Sequence, residues 1–257
     1  MEPVTQQHQP DSMVDAPPKG RIFSIQRRAL LGDCAPSGRV RLDALARWLQ
    51  DVAFSDVEDA GVEGVASWVL RRTRIRVTRF PRFGEHCQVR TFCSGLGRMW
   101  AERRTTVVPA GGGEPLVEAV ALWVHLDPVR WLPSPLTDAE LAIFSESAGD
   151  RRVLARLRHP RPDQVESEWS WHFRRTDADV ADHVNNAAYW EVLEDELLGA
   201  DAELAELDAE VEFRTPAQPG PVRILMNGSR RWIAEPDGEE LYASIVFMNA
   251  RTTPGSN

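Results

Sequence analysis

The sequence has very little lysine, little cysteine and no long apolar run. Lys19 is the only lysine among 30 basic residues, and we interpret this bias as genomic rather than chemical. No stretch approaches the ~20 consecutive apolar residues of a membrane-spanning helix, so we predict no membrane span. Residues 1–20 contain no apolar segment typical of a secretory signal and no arginine, so they are predicted to form a disordered tail.

The three cysteines argue against two kinds of stabilised scaffold. Cys34, Cys87 and Cys93 are odd in number and lack metal-ligand spacing, which disfavours both a disulfide framework and a zinc site. We therefore expect a reducing, cytoplasmic environment and neither metal nor cofactor. The net charge of −9 argues against general binding to nucleic acid, which needs a basic surface.

The length and composition are those of a globular protein. A chain of 257 residues, 42% of them hydrophobic, can bury one large core or two smaller ones. Within a proline-rich middle segment, the capping-box spacing of Thr137 and Glu140 predicts a short helix. The strand and helix patterns divide the chain into a first unit (21–127), a connecting segment (128–164), a second unit (165–250) and a tail (251–257).

The second unit repeats the first. An amphipathic helix is predicted to begin at Val40, and at an offset of 144 its Leu49 falls on Leu193 of a second helical stripe. The strand after each helix matches at an offset of 136, where Val77 falls on Phe213. Each copy therefore has the order strand, polar turn, long helix and antiparallel strands.

This repeat predicts an α+β fold. Antiparallel strands wrapped around one apolar helix form a hot-dog unit, so we predict a double hot-dog with a continuous sheet. Two unrelated α+β domains are the alternative. The predicted fold is compatible with either a monomeric pseudo-dimer or a homodimer.

The densest polar cluster lies just before the second helix. A helix N-terminus has unpaired N–H groups and partial positive charge, which suit a carbonyl oxygen that becomes an oxyanion. A neighbouring carboxylate or imidazole could activate water for attack on an acyl thioester. Asp and Asn are also preferred helix caps, so a capping role is the alternative. The cluster consists of Asp177, Asp179, Asp182, His183, Asn185 and Asn186.

The segment around this cluster resembles the acyl-ACP thioesterases of plants and bacteria. Residues 177–190, DADVADHVNNAAYW, resemble the family motif D-x-D-V-N-x-H-V-N-N-x-x-Y. Residues 211–217, VEFRTPA, stand where the family shows L-E-Y-R-R-E-C. The resemblance covers most of residues 21–250 and includes, in the family's order, FSIQ (23–26), WLQDVAFSDVEDAG (48–61), WVLRRTRIRVTRFPRFGEHCQVRTF (68–92) and ALWVHLD (121–127).

The resemblance implies a double hot-dog enzyme of fatty acid biosynthesis that hydrolyses acyl-ACP, or acyl-CoA, to free fatty acid. It implies that Asp179 is the catalytic aspartate, which activates water or attacks the carbonyl, and that His183 is the catalytic histidine. By analogy with hot-dog acyl-CoA thioesterases, the Asn186 backbone N–H would bind the oxyanion. Asn185 would order the site.

The sequence departs from the family pattern at three polar positions. The family's asparagine falls on Ala181, and its later glutamate and cysteine fall on Pro216 and Ala217. A protein that binds acyl thioesters or acyl carrier protein without cleavage is therefore one alternative, and a hot-dog dehydratase or hydratase is another. The first unit has Ala35 where an acid would stand, so we predict a single active site in the second unit.

Two charged groups are interpreted as solvated surfaces. Arg72, Arg74 and Arg76 occupy alternate positions of one strand, as on the exposed face of a half-buried sheet. These arginines could also steer an acidic carrier protein. Glu194 belongs to a run of carboxylates that we assign to the exposed face of the second helix.

Overall fold

The computed structural model describes residues 13–62, 68–127, 129–199 and 202–254. Within these residues the chain forms ten strands and three α-helices, which confirms the α+β class. In chain order they are β1 (Phe23–Arg28), α1 (Leu42–Asp59), β2 (Trp68–Val77), β3 (His86–Leu96), β4 (Trp100–Pro109), β5 (Val117–His125), α2 (Asp138–Ala148), β6 (Ser167–Phe173), α3 (Tyr189–Leu198), β7 (Ala202–Phe213), β8 (Gly220–Asn227), β9 (Arg230–Ala234) and β10 (Leu241–Pro254).

The ten strands form one antiparallel sheet in the order β1-β3-β4-β5-β2-β7-β10-β9-β8-β6. The first five belong to the first unit and the last five to the second. Counted outward from the central β2–β7 pair, corresponding strands follow in the same order on both sides. Each unit adds a long helix, α1 or α3, so the predicted double hot-dog is confirmed.

Helices α1 and α3 contact each other and share one apolar core with the sheet. We call the side of the sheet that they cover the inner face. Leu49 and Leu193, the residues matched by the repeat, are both buried in that core. Helix α1 begins at Leu42 rather than at the predicted Val40, because Val40 forms an isolated β-bridge with Cys34 and is extended.

The β2–β7 pair, called the seam below, joins the two units. Thr73 lies opposite Val211 in its register. On the opposite, outer face, Asp208 accepts hydrogen bonds from Arg74 at 2.7 and 2.8 Å and from Arg76 at 3.0 Å. Burial acts to raise the pKa of Asp208, but these arginines outweigh it and hold that pKa below its usual value.

Residues 151–164, which we call the strap, lie across the outer face. Trp100 Nε1 donates to the Val153 carbonyl at 2.7 Å, and Trp232 Nε1 donates to the Pro160 carbonyl at 2.8 Å. Between them, Arg72 donates to the Arg156 carbonyl at 3.0 Å and is only 4% exposed. The interpretation of these strand arginines as a solvated face is therefore wrong for Arg72, because the connecting segment covers it.

Helix α2 precedes the strap in the connecting segment and packs against β3. Thr137 is its N-cap, and the Glu140 backbone N–H donates to the Thr137 hydroxyl at 3.2 Å. The Glu140 carboxylate accepts in return from the Thr137 backbone N–H at 2.7 Å. The predicted capping box and short helix are therefore confirmed.

Both chain ends differ from the tails that the sequence predicts. Part of the 1–20 segment lies outside the described residues, but the Val14 carbonyl accepts a hydrogen bond from Arg104 Nε at 3.1 Å. At the other end, β10 continues to Pro254 because its last residues pair with the beginning of β7. Ordered segments therefore extend into both predicted tails. Across the described residues, no helix has the length and apolar character needed to cross a membrane.

Candidate active site

Residues 177–188 form a compact loop between β6 and α3, which we call the active-site loop. The Asp179 backbone N–H donates to the His183 carbonyl at 3.0 Å, and Ala178 and Val184 form an isolated β-bridge. Asp182 closes this turn with φ 59°, a left-handed conformation that Asp tolerates better than most residues. These contacts bring all four predicted site residues into one short segment.

The Asp179 carboxylate is half-buried and held from two sides. Its Oδ1 accepts from the Ala181 backbone N–H at 2.9 Å, and its Oδ2 accepts from Asn185 Nδ2 at 2.9 Å. Each carboxylate oxygen can accept more than one hydrogen bond, so capacity remains for a water molecule. Asn185 thus orients Asp179, which supports the ordering role expected for Asn185.

Asn185 also shapes the entrance to α3. Its Oδ1 accepts from the Ala187 backbone N–H at 2.8 Å, and a turn over 186–188 leads into the helix at Tyr189. Within the described part of the chain, no acceptor pairs with the Asn186 backbone N–H. That N–H is therefore available as a donor beside the Asp179 loop.

The predicted histidine is less constrained than the aspartate. His183 is half-buried, and its carbonyl accepts from Asp179. Its ring has no hydrogen-bond partner among the residues that the structure describes. The structure therefore places His183 beside Asp179 in the turn without joining their side chains.

A narrow cleft of about 20 Å³, which is little more than one water molecule needs, runs from Asn186 into the first unit. Its walls come from α1, the start of α3 and the inner face of β2, β4 and β5. Most of its lining is apolar, and two alanines of β5 leave space in the middle of the sheet. Apolar side chains of this lining include Leu49, Ala53, Leu70, Ala119, Ala121 and Trp190.

Two polar groups of the cleft have unused hydrogen-bonding capacity. Thr73 Oγ1 and Trp123 Nε1 are both buried, and neither has a partner among the described residues. Arg103, across β5 from Thr73, is instead paired with Asp56 of α1. The cleft therefore offers an apolar path with two isolated polar contacts on its walls.

Family models match both units of the chain. The N-terminal domain model of acyl-ACP thioesterases matches residues 23–144, and the C-terminal domain model matches residues 161–231. The chain belongs to the acyl-ACP thioesterase family. This confirms the resemblance carried by the active-site loop.

Two relatives of this acyl-ACP thioesterase family protein are distant from it in sequence. A Mycobacterium tuberculosis protein of uncharacterised function is 27% identical over 210 residues, which is 81% of this chain and 83% of that protein. A chloroplastic palmitoyl-acyl carrier protein thioesterase of Arabidopsis thaliana is 27% identical over 191 residues, which is 65% of this chain and 44% of that protein. The chain thus spans less than half of that plant relative.

Solved structures support the fold. The 12:0-ACP thioesterase of Umbellularia californica superposes with a TM-score of 0.71 at 19% identity, covering 90% of this chain and 98% of its own. An acyl-ACP thioesterase of Bacteroides thetaiotaomicron superposes with a TM-score of 0.70 at 19% identity, covering 88% of this chain and 97% of its own. Both neighbours share the tandem architecture.

The acyl-ACP thioesterase family pattern has a glutamate and a cysteine where this protein has Pro216 and Ala217. The Ala217 backbone N–H donates to the Tyr189 hydroxyl at 3.1 Å, and its carbonyl accepts from the Val184 N–H at 2.9 Å. Burial raises the pKa of Tyr189 to about 12, so this hydroxyl is neutral at pH 7. These positions therefore adjoin the active-site loop, but the Ala217 side chain brings no polar group to it.

One polar contact of the loop is missing from the sequence-based prediction. Gln218 Nε2 donates to the Asp182 carbonyl at 3.0 Å and braces the turn. A glutamine in a proline-rich turn carries no signal of its own in a single sequence. Its position just after Ala217, where the family motif ends, is the one sequence feature that points to a place near the active-site loop.

The helix N-terminus of the first unit is closed in this thioesterase-family protein. The Leu42 backbone N–H donates to Glu194 Oε2 at 3.0 Å, and Glu194 also pairs with Arg39 at 2.8 Å. Glu194 is 3% exposed and Arg39 is 1% exposed. The interpretation of Glu194 as part of a solvated face is therefore wrong, because it reaches across from α3 to cap α1.

A separate group of buried titratable side chains lies under the strap. Ligand atoms of His159, Glu210 and Glu212 all lie within 4.8 Å of one another, a spacing that could hold a metal ion. Most of these ligand atoms already have partners, since His159 Nε2 contacts Glu210 Oε1 at 3.1 Å and Glu212 Oε2 accepts from the His159 backbone N–H at 3.0 Å. Glu210 Oε2 alone among them makes no hydrogen bond to the described residues. Arg72 and Arg214 add positive charge beside the two carboxylates, at 3.5 and 3.7 Å. We interpret this group as the fastening of the strap.

Proposed function

We propose that this protein hydrolyses fatty acyl thioesters, with acyl-ACP or acyl-CoA as substrate and a free fatty acid as product. The observation that carries the proposal is the juxtaposition of a fixed carboxylate and a free backbone donor. Asp179 is oriented by Asn185, and Asn186, whose backbone N–H has no partner among the described residues, lines an apolar cleft. A thioesterase needs these three elements: a base, an oxyanion donor and an acyl pocket.

In the proposed reaction the narrow cleft widens between its apolar walls to admit the acyl chain, and the thioester carbonyl faces the Asn186 N–H. Asp179 removes a proton from water, whose oxygen attacks the carbonyl carbon. The tetrahedral oxyanion accepts from the Asn186 N–H. It then collapses, the carbon–sulfur bond breaks, and the sulfur leaves as a thiol with the proton that Asp179 took from water, which His183 shuttles to it. The products are the fatty acid and the free thiol of the carrier.

The test is thiol release from a chain-length series of acyl-ACP and acyl-CoA substrates. The Asp179→Asn variant keeps the shape of the side chain but removes the base, so we expect turnover to fall about 10²–10⁴-fold. Asp182→Asn is the matched control, because Asp182 lies in the same turn and Asn also tolerates its left-handed conformation. An Asp179→Asn variant with the turnover of the control would refute the role of Asp179.

A binding protein that does not cleave acyl thioesters is the second candidate function. The absence of polar side chains at Ala181 and Ala217 favours it. In the same assay it would give acyl-ACP binding without thiol release in the unmodified protein. Following absorbance for an enoyl product in parallel would detect a dehydratase or hydratase.

The choice of carrier, the location and the oligomeric state remain predictions. The ratio of kcat/KM for acyl-ACP and acyl-CoA of equal chain length decides the carrier. We propose a cytoplasmic protein whose sheet is completed within one chain, since β2 pairs with β7 of the same molecule. Gel filtration with light scattering separates the monomeric pseudo-dimer from the homodimer.

A further inference from the structure

The repeat relates residues at the N-terminus of α1, which Glu194 caps, to residues at the start of α3 in the second unit. At the offset of 144, Leu42 corresponds to Asn186, and Gln50 corresponds to Glu194. Leu42 begins α1, and Asn186 begins the turn that leads into α3. Glu194 and Gln50 therefore stand at the same distance, eight positions, after these two residues.

In the first unit, the side chain of one helix contacts the N-terminus of the other helix directly. Glu194 projects from α3 to the N-terminus of α1, where its Oε2 accepts from the Leu42 N–H at 3.0 Å. The two units are related by pseudo-symmetry about the seam. This symmetry predicts that Gln50, the corresponding residue of α1, is directed towards the N-terminus of α3.

The cleft agrees with this prediction for the second unit. Gln50 and Asn186 line the same cleft, although they are 136 positions apart and lie on different units. Gln50 is half-buried, and within the described part of the chain its amide bonds to no protein group. Two residues with unused N–H donors among the described groups, one backbone and one side-chain, thus line the same cleft.

We propose that Gln50 is a further catalytic residue, which donates a hydrogen bond from Nε2 to the thioester oxygen beside the Asn186 N–H. This inference rests on the proposed hydrolase function. Gln50 would form the second half of the oxyanion hole and would transfer no proton. Glutamine suits this role because it is a neutral donor. A carboxylate at this position would occupy the Asn186 N–H, as Glu194 occupies Leu42.

The first test variant is Gln50→Ala, assayed for thiol release with the best acyl substrate. Loss of one oxyanion donor is expected to lower kcat by about 10²–10³-fold, with KM changed by no more than about 3-fold. Gln26→Ala is the matched control, because Gln26 is exposed on β1. Urea unfolding of each variant verifies that the fold is retained.

The second variant, Gln50→Glu, gives a readout that a purely structural residue would not. The introduced carboxylate, when ionised, would block the Asn186 N–H and repel the oxyanion, whereas its protonated form is a neutral donor of similar shape. The activity of Gln50→Glu relative to the unmodified protein is therefore expected to rise at least about 10-fold from pH 8 to pH 5. The relative activity of Gln50→Ala is expected to stay constant.

Each outcome separates this inference from the proposed function. Cleavage by the unmodified protein and by Gln50→Ala at equal kcat would overturn the role of Gln50 and leave the hydrolase function standing. A loss confined to KM, or a Gln50→Glu variant without the pH response, would also overturn it. An unmodified protein that releases no thiol from any substrate would overturn both.

Discussion

Removal of the Glu194 carboxylate is expected to destabilise the whole protein, because the group is buried at the contact between the two helices. In Glu194→Ala, Arg39 loses contacts of 2.8 and 3.1 Å, and the Leu42 N–H loses its acceptor. Breaking a buried ion pair by removing one partner typically costs about 3–5 kcal/mol. Glu203, 3.3 Å from Arg39 Nε, retains part of the compensation, so we expect about 3 kcal/mol.

Urea denaturation measures this loss as a change in midpoint at constant m-value. Glu206→Ala is the matched control, since Glu206 pairs with Arg251 at the surface and exposed pairs contribute about 0–1 kcal/mol. The paired replacement of Arg39 by Met and Glu194 by Leu is expected to be far less harmful, because no buried charge is left alone. A Glu194→Ala variant no less stable than the Glu206→Ala control would refute the reasoning.

Two further predictions concern the seam and the cleft. Asp208→Asn is expected to cost about 1–3 kcal/mol at pH 7, because Asp208 pairs with Arg74 across the seam. The folded-state pKa of Asp208 lies below its unfolded value of about 3.9, so this stabilisation is complete above about pH 5 and is lost as the pH falls through the folded pKa. Urea midpoints of variant and unmodified protein should therefore differ at pH 7 and converge at low pH, and a difference that persists there would contradict the assignment. Thr73→Val removes a buried hydroxyl that has no partner in the described structure. We expect kcat/KM to hold or rise for saturated acyl substrates and to fall for hydroxyacyl substrates of equal length. Equal changes in kcat/KM for both substrates would show that Thr73 does not contact the acyl chain.

The sequence predicts the helices and the active-site loop well because their signals are local or repeated. The apolar stripe around Leu49 and its copy around Leu193 specify two helices with the same buried face. The loop from Asp179 to Asn186 is short, so its side chains must lie close together wherever the chain folds. The capping box at Thr137 is equally local.

Strand β7 shows where this reasoning ends. The sequence pattern predicts a strand only over residues 210–213, whereas β7 begins at Ala202. Its first half, rich in Ala, Glu and Leu, favours a helix by intrinsic propensity. Pairing with β10 along its length and with β2 over its second half overrides that preference. The prediction for Arg72 also fails because of a long-range contact, since no periodic pattern reveals that the strap covers this residue.

Gln50 could not be found from the sequence pattern alone. The repeat identifies the positions that correspond, but it does not show which helix residue reaches the opposite N-terminus. The Glu194–Leu42 hydrogen bond supplies that information. The buried contact of Glu194, which the sequence pattern did not predict, therefore directs attention to Gln50 in the other unit.

The seam also governs how fast the chain can fold. Arg74 and Asp208, which meet across it, are 134 residues apart in sequence. Closing so long a loop has a large entropic cost before any contact across the seam compensates for it, and pairings of this separation slow folding. We therefore expect each unit to complete its local hairpins early and the sheet to become continuous only in a late step. The same long-range pairing must be broken for complete unfolding, so we expect contacts across the seam to affect the unfolding rate of the whole molecule.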